Sequence, residues 1–128
     1  MNLLLDTCTF LWIVTDAPEL SSRARDAFRD PANSIFLSAV SAWEIAVKFA
    51  LGRLALPAPP EQFVPGQRDA HRMEALPLDE AAVLHLPRLP EWHKDPFDRM
   101  LICQAISAGM IILTPDPLIL RYPARTLW

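Results

Sequence analysis

Three short apolar runs, Leu3-Leu4-Leu5, Ile35-Phe36-Leu37 and Met110-Ile111-Ile112-Leu113, are separated by long stretches that carry helix signals. Strands alternating with helices restrict the chain to a mostly parallel β-sheet flanked by α-helices, an α/β fold. After the first run, Thr7 to Val14 reads as a short helix, and Ser21 to Arg29 as a second with Ser21 or Ser22 as its cap. Ser38 caps a helix expected to run to about Leu51 and to close at Gly52. Along it Val40, Trp43, Val47, Ala50 and Leu51 recur at helical spacing and are expected to form a buried stripe bordered by Glu44. The proline-rich stretch from Leu56 to Pro65 reads as a loop and a short helix starting near Pro60. Met73 to Leu78 adds a strand, Asp79 caps a helix from Glu80 to Leu86, and the main late helix runs from Pro96 to Ala108, ended by Gly109. Thr126 to Trp128 closes the chain as a last short strand.

Four acids sit where such a fold gathers its strand tips. Asp6 and Asp116 follow likely strand ends, Glu44 lies early in a helix after the second run, and Asp98 lies in the first turn of the late helix. Strand ends and the starts of neighbouring helices share one edge of an open α/β sheet, the usual place for ligands and chemistry. Each acid also has an ordinary structural role: Asp6 as a cap, Glu44 as a partner of Lys48, Asp98 at a helix N-terminus, Asp116 in a Pro-Asp-Pro turn. Their joint placement favours a shared site. Two carboxylates about 4 Å apart repel by roughly 4 kcal/mol at an effective dielectric near 20, whereas a helix N-terminus returns only about 0.3 to 1 kcal/mol per charge. Such a cluster needs protons or a divalent cation, and an all-oxygen donor set favours Mg²⁺, with Mn²⁺ as a substitute. A site of that kind activates water for in-line attack on a phosphodiester.

Around these acids, Thr7, Ser38, Ser41 and Thr114 are candidates to orient water, with Ser38 also a cap, and Lys48, Lys94 and Arg99 are candidates to contact substrate phosphates. Asp95 is assigned to capping, because Pro96 takes the first helical position. His71, His85 and His93 lack a mutual ligand spacing and read as surface or packing residues, and Cys8 and Cys103 read as small buried hydrophobes. Trp12, Trp43 and Phe97 read as core or interface.

At 128 residues the chain is read as one domain, residues 1–128. Its 52% hydrophobic content leaves apolar surface for a partner, and its net charge of −3 excludes a broad basic surface, so a nucleic acid must be held by local cations. A loosely held single strand or loop suits that better than a long duplex. Two cysteines without scaffold spacing, no signal-like start and no long apolar stretch point to a cytoplasmic protein without a membrane span.

Four segments carry a resemblance: Leu3-Leu4-Leu5-Asp6-Thr7, Ser38-Ala39-Val40-Ser41-Ala42-Trp43-Glu44-Ile45, His93-Lys94-Asp95-Pro96-Phe97-Asp98-Arg99-Met100-Leu101-Ile102 and Leu113-Thr114-Pro115-Asp116. In order and spacing they resemble the PIN-domain ribonucleases of the VapC toxin type across nearly the whole chain. The resemblance implies a PIN-like fold and a Mg²⁺-dependent endoribonuclease leaving 5′-phosphate and 3′-hydroxyl ends. It also implies the toxin half of a type II toxin-antitoxin pair, inhibited by a VapB-like antitoxin and dimeric. Carried over by motif position, Asp6, Glu44, Asp98 and Asp116 form the acidic quartet, Asp6 and Asp98 are the direct metal ligands, and Thr114 is the hydroxyl that accompanies the fourth acid. Cys8, Cys103 and Pro115 depart from the family pattern and bear on substrate preference and pocket shape. Alternatives are a metal-dependent phosphatase or DNA nuclease, a receiver-like signalling module, and a non-catalytic partner-binding protein.

Overall fold

The computed structural model describes all residues from Met1 to Trp128. Its strands are β1 (Asn2–Leu5), β2 (Ser34–Ser38), β3 (Glu74–Leu76), β4 (Ile111–Leu113) and β5 (Thr126–Leu127), in the sheet order β3-β2-β1-β4-β5. Every pairing is parallel, with Leu3 beside Ile35 on one side and Ile111 on the other. Successive strand residues point to opposite faces. Leu3 and Leu5 therefore join Ile35, Leu37 and Leu113 in one cluster, while Leu4 and Ile112 enter a second on the reverse face.

Helices cover both faces, as a wholly parallel sheet requires to bury its apolar strands. On the first face α1 (Thr7–Thr15), α2 (Ser22–Arg29) and α4 (Pro60–Ala70) contribute Phe10, Ala24 and Phe63. On the second, α5 (Glu80–His85), α6 (Pro96–Ala108) and the single turn α7 (Pro117–Leu120) contribute Ala82, Leu101 and Ile119. The remaining helix, α3 (Ala39–Ala50), follows β2 and touches both cores, through Val40 and Ile45.

Local chemistry sets the helix boundaries. Ser38 caps α3 by accepting from Val40 N, and Asp95 caps α6 by accepting from Phe97 N and Asp98 N, with Pro96 at the first helical position. Gly109 ends α6 at φ +67°, in the left-handed region where a Cβ is strained.

Three expectations are revised here. Of the stripe expected to be buried on α3 only Val40 is buried: Trp43 is 51% and Leu51 59% exposed and Val47 and Ala50 also face outward, whereas Ser41, Glu44 and Ile45 are buried. Glu44 and Ser41 turn inward because Thr7 of α1 meets both of them, and a buried carboxylate needs such partners more than an indole needs burial. Cys8, read as a small buried hydrophobe, is exposed, while Cys103 is fully buried. The Pro-Asp-Pro segment is more than a turn, because Asp116 caps α7 by accepting from Leu118 N.

Candidate metal centre

The strand order runs outward from β1 in both directions, so the connections diverge between β1 and β4. Ligands of open α/β sheets bind at such a divergence, beyond the C-terminal strand ends. Asp6 follows β1 there and Asp116 follows β4. The N-termini of α3 and α6 reach the same edge, because α3 leaves β2 and α6 leads back into β4. They bring Glu44 in the second turn of α3 and Asp98 in the first turn of α6.

Each acid is held by its own local partners. Asp6, 4% exposed, caps α1 with Oδ1 by accepting from Thr9 N at 2.8 Å, and its Oδ2 accepts from Thr114 Oγ1 at 2.5 Å. Thr114 Oγ1 in turn accepts from Asp116 N at 3.0 Å, so one hydroxyl ties the first and fourth acids together. Glu44, 5% exposed, accepts through Oε1 from Thr7 Oγ1 at 2.7 Å and pairs through Oε2 with Lys48. Thr7 has one hydroxyl proton and the carboxylate can only accept, so Ser41 Oγ, 3.0 Å away, is the donor to Thr7. Asp98 Oδ2 lies 2.9 Å from His93 Nε2, with both side chains mostly buried.

Burial dominates the electrostatics. It raises Asp6 above the ordinary carboxylate value against the opposing hydrogen bonds of Thr114 and Thr9, and the Asp116 charge adds to the rise. Asp98 is pushed up to about 6, chiefly by burial, with His93 opposing and Asp95, Glu44 and Asp116 adding to the rise. The Cys8 thiol is pushed up to about 11 by desolvation and then by the charges of Asp6, Glu44 and Asp98 together. Acids 92 residues apart in sequence thus act on one sulfur atom.

The quartet does not close into a tight ring. The one set of three candidate ligand groups whose atoms all lie within 4.8 Å of one another is His93, Asp95 and Asp98. His93 was assigned above to a surface or packing role, and it instead stands against an acid of the proposed quartet.

The basic candidates divide. Lys48 is paired with Glu44, which raises its pKa, and remains partly exposed. Lys94 is exposed beside an open hollow of about 230 Å³ that it lines with Glu91, His93 and Arg99. Arg99 is engaged, its Nη1 donating to Pro90 O at 2.7 Å and lying 3.4 Å from His93 O and 3.3 Å from the Tyr122 hydroxyl. Ser38 faces away from the acids, its hydroxyl bonded to Gln104 Oε1 while Gln104 Nε2 donates to Pro77 O.

The donor set fits a hard divalent cation: four carboxylates, two of them raised by burial, with one imidazole at the margin. Capping uses one oxygen each of Asp6, Asp95 and Asp116 and leaves Asp98 with Oδ1 free of any protein donor.

Comparison with known proteins gives a consistent picture. The chain is 38% identical over 69 residues to Ribonuclease VapC16 of Mycobacterium tuberculosis, a stretch that covers 54% of this chain and spans about half, 49%, of that relative. In three dimensions it is similar to VapBC2 from Rickettsia felis, solved bound to a DNA fragment from their promoter, with TM-score 0.72 and 15% identity over 99% of this chain and 98% of that one. It is also similar to DNA-bound VapBC from Salmonella typhimurium, with TM-score 0.70 and 21% identity over 99% and 97% of the two chains. At those identities the likeness concerns the fold. Residues 3–124 match the sequence model of the PIN domain, and this chain therefore belongs to the PIN-domain family.

Proposed function

We propose that this chain is a divalent-metal-dependent endoribonuclease, the toxin component of a type II toxin-antitoxin pair, with residues 1–128 acting as one PIN unit. The observation that carries the reading is the gathering of four acids at the divergence between β1 and β4, where Thr114 ties Asp6 to Asp116, Thr7 beside Asp6 holds Glu44, and α6 brings Asp98 to the same edge. Membership of the PIN family and the similarity to a protein named as a ribonuclease support it.

In this reading Asp6 and Asp98 hold the cation, Mg²⁺ with Mn²⁺ as a substitute, and Glu44 and Asp116 complete its surroundings or position water. A divalent ion bound there supplies Lewis acidity and neutralises charge on the phosphate. Thr114 and the Thr9 amide hold both oxygens of Asp6 in place, so its orientation is set in advance. Thr7, backed by Ser41, does the same for one oxygen of Glu44, and Lys48 is placed to exchange Glu44 for a substrate phosphate. Lys94 offers a second exposed cation, whereas Arg99 acts through the backbone it binds.

The partner side of the reading rests on apolar surface. A groove of about 530 Å³ between α3 and α4, lined by Ala42, Ala46, Phe49, Pro60 and Val64, suits an amphipathic segment of a VapB-like antitoxin. Trp43, Val47 and Leu51 form an exposed stripe on α3 suited to a second copy of the chain. No helix is long and apolar enough to cross a membrane.

The test is cleavage by the purified chain of RNA, DNA and a phosphomonoester, each with Mg²⁺, Mn²⁺ or chelator. RNA alone should be cut, only with metal, and Asp6→Asn and Asp98→Asn should each abolish cleavage with circular dichroism unchanged. Undiminished activity in both variants would sink the assignment, and turnover of the monoester alone would replace it with a phosphatase.

A further inference from the structure

Trp92 sits on the loop before α6 with half of its surface, 50%, open to solvent. Its ring packs on buried Tyr122 at 5.4 Å between centroids and a 49° tilt, and the exposed Arg121 guanidinium lies over the indole, 5.8 Å from its centroid. The loop beneath is anchored: Leu89 is buried, and Arg99 Nη1 donates to Pro90 O and reaches toward His93 O and the Tyr122 hydroxyl. The next residue, His93, contacts Asp98, so the indole stands one residue from a side chain that touches the proposed metal centre.

We infer that Trp92, backed by Tyr122, is a stacking platform that seats one unpaired base of a single-stranded RNA beside the acidic centre, with Arg121, which lies over the indole, and Lys94, two residues on, free to turn to the backbone phosphates. The inference rests on the ribonuclease reading for the identity of the substrate. Proteins that hold single strands without sequence preference combine aromatic faces for bases with cations along the backbone, and at a net charge of −3 this chain can supply those cations only locally. Arg121 and Lys94 are both exposed. A protein partner fits this patch less well, because its aromatic surface is one indole beside cations while the wide apolar groove lies elsewhere, between α3 and α4. Arg99 fixes the loop in advance, so stacking needs no ordering of the chain.

The test uses Trp92→Ala, Trp92→Phe and Arg121→Ala in the full chain, none of which alters the acids. Fluorescence anisotropy of a labelled single-stranded RNA in chelator reads binding without cleavage, and steady-state cleavage with Mg²⁺ reads kcat and KM separately. Trp92→Ala should weaken binding roughly 5- to 150-fold, the range of a lost base stack, and should raise KM by a similar factor with kcat held. Trp92→Phe should recover most of the loss, and Arg121→Ala should fall between. An oligonucleotide carrying only abasic sites should bind wild type and Trp92→Ala equally. Wild-type affinity in Trp92→Ala, or an equal loss on the abasic strand, overturns the platform. Loss of complex formation with a co-expressed protein partner while RNA binding stays intact would also overturn it in favour of a protein-docking role. Should wild type fail to cleave RNA, the ribonuclease reading falls, and the anisotropy measurement still decides the platform by itself.

Discussion

Asp98 keeps its proton up to about pH 6 because it is buried among other acids, and the only hydrogen-bonding partner of its carboxyl group is His93. Protons and a cation therefore compete for it near neutrality. Mn²⁺ affinity, measured by titration calorimetry, should fall steeply as pH drops from 7 to 5, while Asp98→Asn should bind weakly and with little dependence on pH. A flat profile in the unmodified chain would remove Asp98 from the ligand set. Cys8 reports on the same field from outside. Exposed but pushed up to about 11, its thiol is neutral at pH 7.5 and should be alkylated slowly by iodoacetamide. Saturating Mg²⁺ should speed that alkylation by offsetting the charges of Asp6, Glu44 and Asp98, while the larger part of the rise, which comes from burial, stays. An unchanged rate would place the ion elsewhere.

Between elements, a buried polar chain joins the sheet to α6. Ser38 caps α3 while its hydroxyl meets Gln104, and Gln104 continues to the carbonyl of Pro77 beyond β3. Ser38→Ala removes a cap worth about 1 kcal/mol and leaves a buried amide oxygen without its donor, at a further cost of about 1–3 kcal/mol. Urea unfolding should show a loss of roughly 2–4 kcal/mol, and a loss below about 0.5 kcal/mol would show that water replaces the hydroxyl. The outward stripe of α3 belongs to the same scale. If Trp43, Val47 and Leu51 bury themselves against a second copy, Val47→Glu should convert a dimer to a monomer in light scattering at micromolar concentration, with circular dichroism retained. A monomeric unmodified chain would end that part of the reading.

For the molecule as a whole, the acids make stability depend on pH and metal together. Asp98 binds its proton more tightly in the folded chain, with a value of about 6 against an ordinary 3.8. Between those values the folded state carries more protons than the unfolded one, so stability falls as pH rises through this window and stays lower above it. Asp6 is shifted in the same direction. At about 1.4 kcal/mol per pKa unit, the ionised metal-free protein is weakened by a few kcal/mol. The melting temperature in chelator should therefore fall between pH 4.5 and 7.5, and Mg²⁺ or Mn²⁺ should restore it at pH 7.5 but not at 4.5. Metal-independent melting at pH 7.5 would contradict a cation shared by these carboxylates.

Much of this was legible in the residues themselves. The late helix from Pro96 to Ala108 could be read to the residue, because proline at its first position, Asp95 as cap and Gly109 past its end are local signals that depend on a few neighbouring atoms. The parallel sheet followed from apolar runs spaced by helices, and the placing of the four acids at its edge followed from the direction in which each helix leaves or enters a strand. Tertiary structure alone decided the facing of α3, the exposure of Cys8 and the contact of His93 with Asp98. Those outcomes turn on which side chain finds a partner across the fold. Apolar spacing ranks Trp43 above Glu44 for burial, and it cannot see that Thr7, 37 residues away, waits inside with a hydroxyl. Local propensity is written in consecutive residues, whereas the satisfaction of a buried charge depends on groups that only the folded chain brings together.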